Sequence, residues 1–430
     1  MVLNLIALII ILLSLSLPLK HAFGIALFTS FLFIVPNGQA INSYCILIVF
    51  GRLLISRFSL KKSTITVDRF CYLILAYLVF GLVSAIVFQG KDASEYLRRA
   101  FMTIVTIISL VSIYKNINDY DLFIKYNILG LLLIALHLYT QVFIPINPFA
   151  EATFTSQGRI EPSGMSGQYV SPNLWGFYII ALFGSISSYL ILFKKRILSV
   201  DRAKSRRYVH LFIALIILVA PLIGLLASRS VFIIFLIVVL ICSLNMTFYK
   251  TFIISLVLGL LIGIFNVTLK NQLLNYANTL PESNVMKPLI VRVSDVDQES
   301  QAAKLDSRSY LAEMGFRIFL DHPLFGVGLG NEKRSFALPQ YYGSQKVSHN
   351  TYISLPLELG LFGILFLLAV ILLWIKYIHL PFIWCILAML GLYAAVHGIM
   401  LLTLPWLIMS FFNLLLRHSH LKHADFKLLQ

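Results

Sequence analysis

Long, continuous apolar runs separated by short polar connections make up most of the chain. They fall near residues 2–18, 22–36, 41–56, 70–89, 98–114, 122–143, 172–193, 209–227, 230–248, 251–268, 350–376, 380–396 and 400–416. A helix needs about 20 apolar residues to cross the hydrocarbon layer, so the pattern predicts 12 or 13 spans. The first three runs are short and close together, which leaves that count a range. Strands of a membrane barrel would alternate every second residue. These runs do not, and a helix satisfies its own backbone in lipid. The predicted fold class is all-α: a polytopic integral membrane protein with a long loop on its outer side. Its organisation reads as N-terminal helices over 1–143, a loop over 144–171, central helices over 172–268, a large loop over 269–348, C-terminal helices over 349–416 and a tail over 417–430. No repeat of fixed period is visible.

Composition removes the alternatives. Of 430 residues, 59% are apolar and 12% charged, and the mean hydropathy is +0.88. Soluble domains run nearer ~45–50% and ~25%, so a soluble fold of this size is excluded. Cys45, Cys71, Cys242 and Cys385 all lie inside apolar runs without a CxxC spacing, and read as small buried hydrophobes. The first 18 residues have no basic flank and no small-residue cleavage site, so they are expected to form a retained helix.

Charge orients the spans. Basic residues in short loops favour the cytoplasmic side. The connection after the seventh run carries Lys194, Lys195, Arg196, Arg202, Lys204, Arg206 and Arg207, and the one after the third carries Arg52, Arg57, Lys61, Lys62 and Arg69. Both are predicted cytoplasmic, as is the tail. Counting outward puts 144–171 and 269–348 on the opposite side. The larger loop holds 8 acidic and 9 basic residues, so the net charge of +16 is mainly a topology signal. Nucleic acid is not an expected partner, because no polar domain interleaves basic and aromatic residues.

Four outer residues could carry chemistry. Arg229 sits between two apolar runs with almost no loop, which pins it at the membrane surface; a snorkelling arginine is the plain alternative. Arg308 opens a segment, 307–320, whose Leu311, Met314 and Ile318 share one helical face. An amphipathic helix at the membrane surface fits that pattern. Arg159 lies in the 144–171 loop, where an ordinary loop charge is equally consistent. His349 immediately precedes a long apolar helix, whose dipole disfavours a positive imidazole. A neutral imidazole suits a general base; a residue beside an N-cap, without chemistry, is the alternative. The run from Asp321 to Asn331 is rich in glycine and predicts a tight turn, either merely structural or offering the backbone amides of Gly328 and Gly330 to a phosphate. Glu358 follows His349 by nine residues, about 180° round a regular helix. It is expected on a different cavity wall unless Pro356 kinks the helix.

His349-Asn350, nine residues, then Gly360-Leu361-Phe362-Gly363 resembles the signature of the O-antigen ligase and polymerase superfamily of bacterial envelopes. Ser228-Arg229, Ser307-Arg308, the Pro323–Asn331 glycine turn and the loop from Arg159 through Ser171-Pro172-Asn173 are similar to family features in the same order. The resemblance spans roughly residues 155–370. It implies a membrane glycosyltransferase of about a dozen helices, the outer loop forming a lid over a cavity at the outer leaflet. The implied donor is a glycan on undecaprenyl diphosphate, with no metal, nucleotide sugar or other cofactor. The implied site faces the periplasm from the inner membrane. Arginine forks suit diphosphate oxygens, so Arg229 and Arg308 are expected to stabilise the leaving group. His349 is expected to take the acceptor proton, and Arg159, Asn350, Gly328 and Gly330 to contact substrate. Ligase activity, with lipid A–core oligosaccharide as acceptor, is the reading taken. A polymerase adding to a lipid-linked repeat unit, or an exopolysaccharide or protein-glycan transferase, would share the chemistry. A transporter or flippase is the reading from another class; it would more commonly show repeated halves and charges near the midplane.

Overall fold

The computed structural model describes residues 2–30, 41–58, 69–90, 93–114, 117–143, 172–194, 202–226, 229–244, 308–375 and 407–415, with strand residues 153–154 and 160–161 and a few isolated positions. The predicted spans at 251–268 and 380–396 lie outside these described residues, apart from isolated positions.

Helices dominate, as the continuous apolar runs require. In order they are α1 (Val2–Ser16), α2 (Leu19–Ser30), α3 (Ile41–Phe58), α4 (Arg69–Val87), α5 (Ala93–Ile113), α6 (Ile117–Phe143) and α7 (Pro172–Ser187). There follow α8 (Arg202–Leu226), α9 (Arg229–Leu244), α10 (Arg308–Asp321), α11 (Glu332–Phe336), α12 (Thr351–Leu359) and α13 (Leu361–Ile375). A π-helical stretch, Ser188–Lys194, extends α7. Two-residue strands, β1 (Thr153–Phe154) and β2 (Ile160–Glu161), pair antiparallel in the 144–171 loop. Among the described residues, five helical segments of 18 residues or more are apolar enough to cross a membrane. The protein is a multi-pass, all-α membrane protein.

The chain forms two compact units, each discontinuous in sequence. One comprises Met1–Cys45 and Asp121–Glu299, the other Ile46–Tyr120 and Ser300–Gln430. The first has an aromatic core in which Phe183 meets Phe212 and Phe235, and a buried Trp175 that packs against His137. In the second, α4 packs on α5 and on α13, with Phe80 stacked on Phe362 and Tyr77 against Phe366.

Two expectations are corrected in the second unit. The apolar face of α10 does not lie on the membrane surface. Leu311, Met314 and Ile318 are buried with Phe336 and Leu357, because α11 and α12 cover that face. Close approach is possible at Gly315, where a Cβ would stand 2.7 Å from an Ile353 methyl group. Phe316 and Leu320 on the other side of α10, with Leu324 and Phe325 beyond it, stay exposed. The second correction concerns the run 350–376, which is not one helix. It breaks at Gly360, where φ is +60° and ψ −139°, a region essentially restricted to glycine.

Candidate functional site

The glycine turn fits the end of α12. The last four carbonyls of a helix lack intrahelical partners. Here Val327 N–H donates to Leu357 O at 2.9 Å and Gly328 N–H to Glu358 O at 3.0 Å. Gly326 lets the turn come that close: a Cβ on it would stand 2.4 Å from the Glu358 carbonyl carbon. Leu329 N–H donates to Ser84 Oγ at 3.1 Å, and Gly330 N–H to Glu358 Oε1 at 3.0 Å. Asn331 Nδ2 donates to Phe88 O and Val327 O. The expectation that Gly328 and Gly330 offer amides to a phosphate is therefore corrected. Both residues are buried, and both amides are bonded within the protein.

At its other end α12 is capped by the residue beside the histidine. Asn350 is extended, with φ −138° and ψ 113°, and its Oδ1 accepts from Tyr352 N–H at 2.9 Å. That satisfies one of the orphan donors of a helix start, so the structure gives Asn350 a capping bond where a substrate contact was expected. His349 stands outside the helix with φ +53°. A left-handed backbone costs a side-chain-bearing residue about 1 kcal/mol or more. Such strain persists only where neighbours over-determine it. Asn350 is one anchor. Ser348 is the other, buried and held through both its N–H and its Oγ, each 2.8 Å from Glu332 Oε1. Ser354 Oγ also donates to that oxygen at 3.1 Å.

Glu332 is thus the post on which the histidine turn hangs. Burial raises its pKa above the ordinary carboxylate range, against the lowering by its hydrogen bonds from Ser348 and Ser354 and by nearby Lys333. The folded state then binds this proton more tightly than the unfolded chain does. Its stabilisation is complete below the ordinary carboxylate range and declines as pH rises through the raised value. Glu332→Gln keeps an acceptor oxygen and carries no charge to desolvate. Its thermal midpoint in detergent at neutral pH should equal or exceed that of wild type and lose part of the acid-side slope. Glu332→Ala orphans buried donors and should cost about 1–3 kcal/mol. A glutamine variant as damaged as the alanine one would show that the charge itself holds the turn.

His349 opens onto a cavity of about 320 Å³ inside the second unit, lined among others by Tyr77, Tyr96, Arg99, Glu332, Ser354 and Glu358. Arg99 is paired with Glu95, another lining residue. Glu358 and His349 both line this cavity. His349 precedes the N-cap, so helical phase does not relate the two. Among the described residues, no three His, Cys, Asp or Glu side chains are grouped to hold a metal ion.

The three arginines divide between regions. Arg308 opens α10 in the second unit, the helix packed along α12. Arg229 opens α9 in the first unit. In both, the preceding residue is serine, a favoured N-cap type. The side chains of Arg229 and Arg308, and all of Arg159, lie outside the described residues. Sequence reasoning missed Glu332 and the α4 and α5 contributors Tyr77, Glu95, Tyr96 and Arg99. Glu95 and Arg99, four residues apart on one helix, carried a faint signal; Tyr77 and Glu332 carried none.

A comparison with curated proteins found no match. A family model described as O-antigen ligase matches residues 221–368, about a third of the chain. The matched segment runs from the end of α8 into α13 and contains Arg229, Arg308, the glycine turn, Glu332, His349 and both glycines of the Gly-x-x-Gly. It leaves out Arg159 and the α4 and α5 walls of the cavity. With its His-Asn turn capping α12 and its glycines seated against backbone, the segment 221–368 is similar to the O-antigen ligase family.

Proposed function

We propose that the protein is an inverting, metal-independent glycosyltransferase of the bacterial inner membrane, acting at its periplasmic side. It transfers a glycan from undecaprenyl diphosphate to a sugar hydroxyl, as an O-antigen ligase with lipid A–core oligosaccharide as acceptor. The observation that carries this reading is His349, held in a strained backbone between two anchored neighbours and lining a polar cavity. The ligase description of the matching family model supports the choice of acceptor.

The acceptor oxygen attacks the anomeric carbon from the side opposite the diphosphate and inverts it. The bond from that carbon to phosphate oxygen breaks, and its electron pair leaves with undecaprenyl diphosphate. His349 takes the hydroxyl proton. The leaving group carries several negative charges, which Arg229 and Arg308 stabilise, with Arg159 as a third contact. Each of the first two begins a helix, so its charge adds to the positive end of that helix's dipole and favours an anion there.

Arg229→Ala and Arg308→Ala should each cost about 2–4 kcal/mol of transition-state stabilisation, read as a 30- to 1000-fold fall in transfer from lipid-linked donor. Lysine at either position should recover only part, because an ammonium lacks the guanidinium fork. Full recovery with lysine would remove the fork from the mechanism. In a deletion strain, the lipopolysaccharide profile should show core without long chains while lipid-linked polymer accumulates. Core bearing a single repeat would mean a polymerase, and an unchanged profile would overturn both readings.

A further inference from the structure

The side of α10 turned away from its buried face is apolar too. Phe316, Leu320, Leu324 and Phe325 are between 52% and 64% exposed. Phe316 and Leu320 lie one turn apart near the end of α10, and Leu324 and Phe325 follow in the chain directly beyond it. Water-facing surfaces rarely leave a patch of large apolar side chains bare without a partner for it. The three formal charges of residues 313–325 are bonded within the protein: Arg317 pairs with Glu313 at 2.8 Å, and Asp321 accepts from Tyr341 Oη at 2.7 Å. What the stretch offers a partner is therefore mainly apolar surface.

Its continuation says which partner. Leu361, the first residue of α13, donates its N–H to Leu324 O at 3.2 Å, so the head of α13 abuts the patch. Along α13, Leu361, Leu365, Leu368 and Leu372 are 48% to 63% exposed. They recur every three or four residues and so form one stripe. No charged residue interrupts α13. In a multi-pass membrane protein, a bare leucine stripe on an uncharged helix is a surface for acyl chains.

We propose that Phe316, Leu320, Leu324 and Phe325 extend this lipid-facing surface, so that the outer side of α10 and the turn after it are seated among phospholipid acyl chains just beneath the headgroups. The seating uses the side of α10 opposite to the one the sequence pattern pointed to, because α11 and α12 have taken Leu311, Met314 and Ile318. It has a consequence for the histidine turn. α10 packs along α12, whose N-cap follows His349, so the depth of α10 in the lipid sets the height of His349 over the bilayer. The inference does not depend on the transferase reading.

The test uses full-length protein in nanodiscs of phosphatidylethanolamine and phosphatidylglycerol. Cys45, Cys71, Cys242 and Cys385 are replaced by alanine, and nitroxide labels are placed one at a time through Leu320→Cys, Leu324→Cys, Leu368→Cys and Arg334→Cys. Oxygen concentrates in acyl chains and a neutral nickel chelate in water, so the ratio of their collision rates with a label reports its surroundings. The ratio should exceed one at positions 320 and 324, as at 368 on the α13 stripe, and fall below one at the exposed cation position 334 on α11. A ratio below one at 320 and 324 would put the patch in water and overturn the proposal. Labels there that meet neither reagent would mean that protein covers the patch, with the same result. Spin–spin broadening at 320 that disappears on dilution with unlabelled protein would assign the patch to a second copy instead of lipid. A label at 368 that meets water would remove the premise and the proposal with it. The wild-type protein gives an independent reading without any substitution. A phospholipid with a diazirine near its glycerol should tag tryptic peptide 318–333 as it tags 347–376, which carries α13. Tagging of 347–376 alone would overturn the proposal.

Discussion

Replacing His349 by alanine should abolish glycan transfer, at least about 100-fold by the usual contribution of a positioned base, while membrane expression stays at the wild-type level. His349 is exposed and lines the cavity, and bonds that close the turn run through Ser348, Glu332 and Asn350. A more demanding variant is His349→Gly. At φ +53° a glycine relieves the strain that histidine and alanine share, so this protein should be more stable than the alanine variant by up to about 1 kcal/mol and equally inactive. Thermal midpoints and lipid-linked donor turnover, measured on one preparation, separate the two effects. A glycine variant that transfers glycan at wild-type rate would remove the imidazole from the mechanism. One that is less stable than alanine would mean that the backbone strain has been misjudged.

The largest structural effect should come from the Gly-x-x-Gly. At Gly360 a Cβ would stand 2.4 Å from the Leu324 backbone, in a conformation closed to other residues. At Gly363 it would stand 2.3 Å from Leu355 O. In both cases the obstacle is main chain, which cannot swing aside as a flexible side chain can. Gly360→Ala combines backbone strain of about 1–3 kcal/mol with that collision. Gly363→Val adds two methyl groups to a similar one. Both should fail to give a monodisperse extracted protein, or lower its thermal midpoint by several degrees. Two controls calibrate the result. Gly343 has φ +75° but open space around it, so Gly343→Ala should show the strain alone. Nothing lies within 4 Å of a Cβ at Gly51 in α3, so alanine there should be neutral or slightly stabilising through helix propensity. A Gly363→Val protein as stable as wild type would show that the α12–α13 turn can open without loss.

Seen this way, a sequence signature separates into parts with different work. His349 faces the cavity, Asn350 caps α12, Gly360 ends it, and Gly363 lets α13 fold back over Leu355. The glycine turn at 326–330, which resembled a phosphate cradle, instead satisfies the carbonyls left over where α12 stops. The spacing of nine residues between Asn350 and Gly360 is thus the length of one short capped helix. Glu332 enters the same arrangement through a single oxygen, and no motif announced it.

Membrane class, the approximate bounds of the described spans and the histidine motif were legible along the chain. The reason is that hydropathy and capping are local: a helix satisfies its own backbone, so its run of apolar residues betrays it without reference to any neighbour. Leu311, Met314 and Ile318 were likewise legible as one face, but not what would cover it. Tertiary packing alone decided that α10 turns that face onto α11 and α12, that the 350–376 run breaks in two, and that Tyr77 and Tyr96 come to the cavity of His349 from more than 250 positions earlier in the chain. Those outcomes depend on which surfaces fit together across long stretches of sequence, and fit of that kind leaves no periodic trace in the order of the residues.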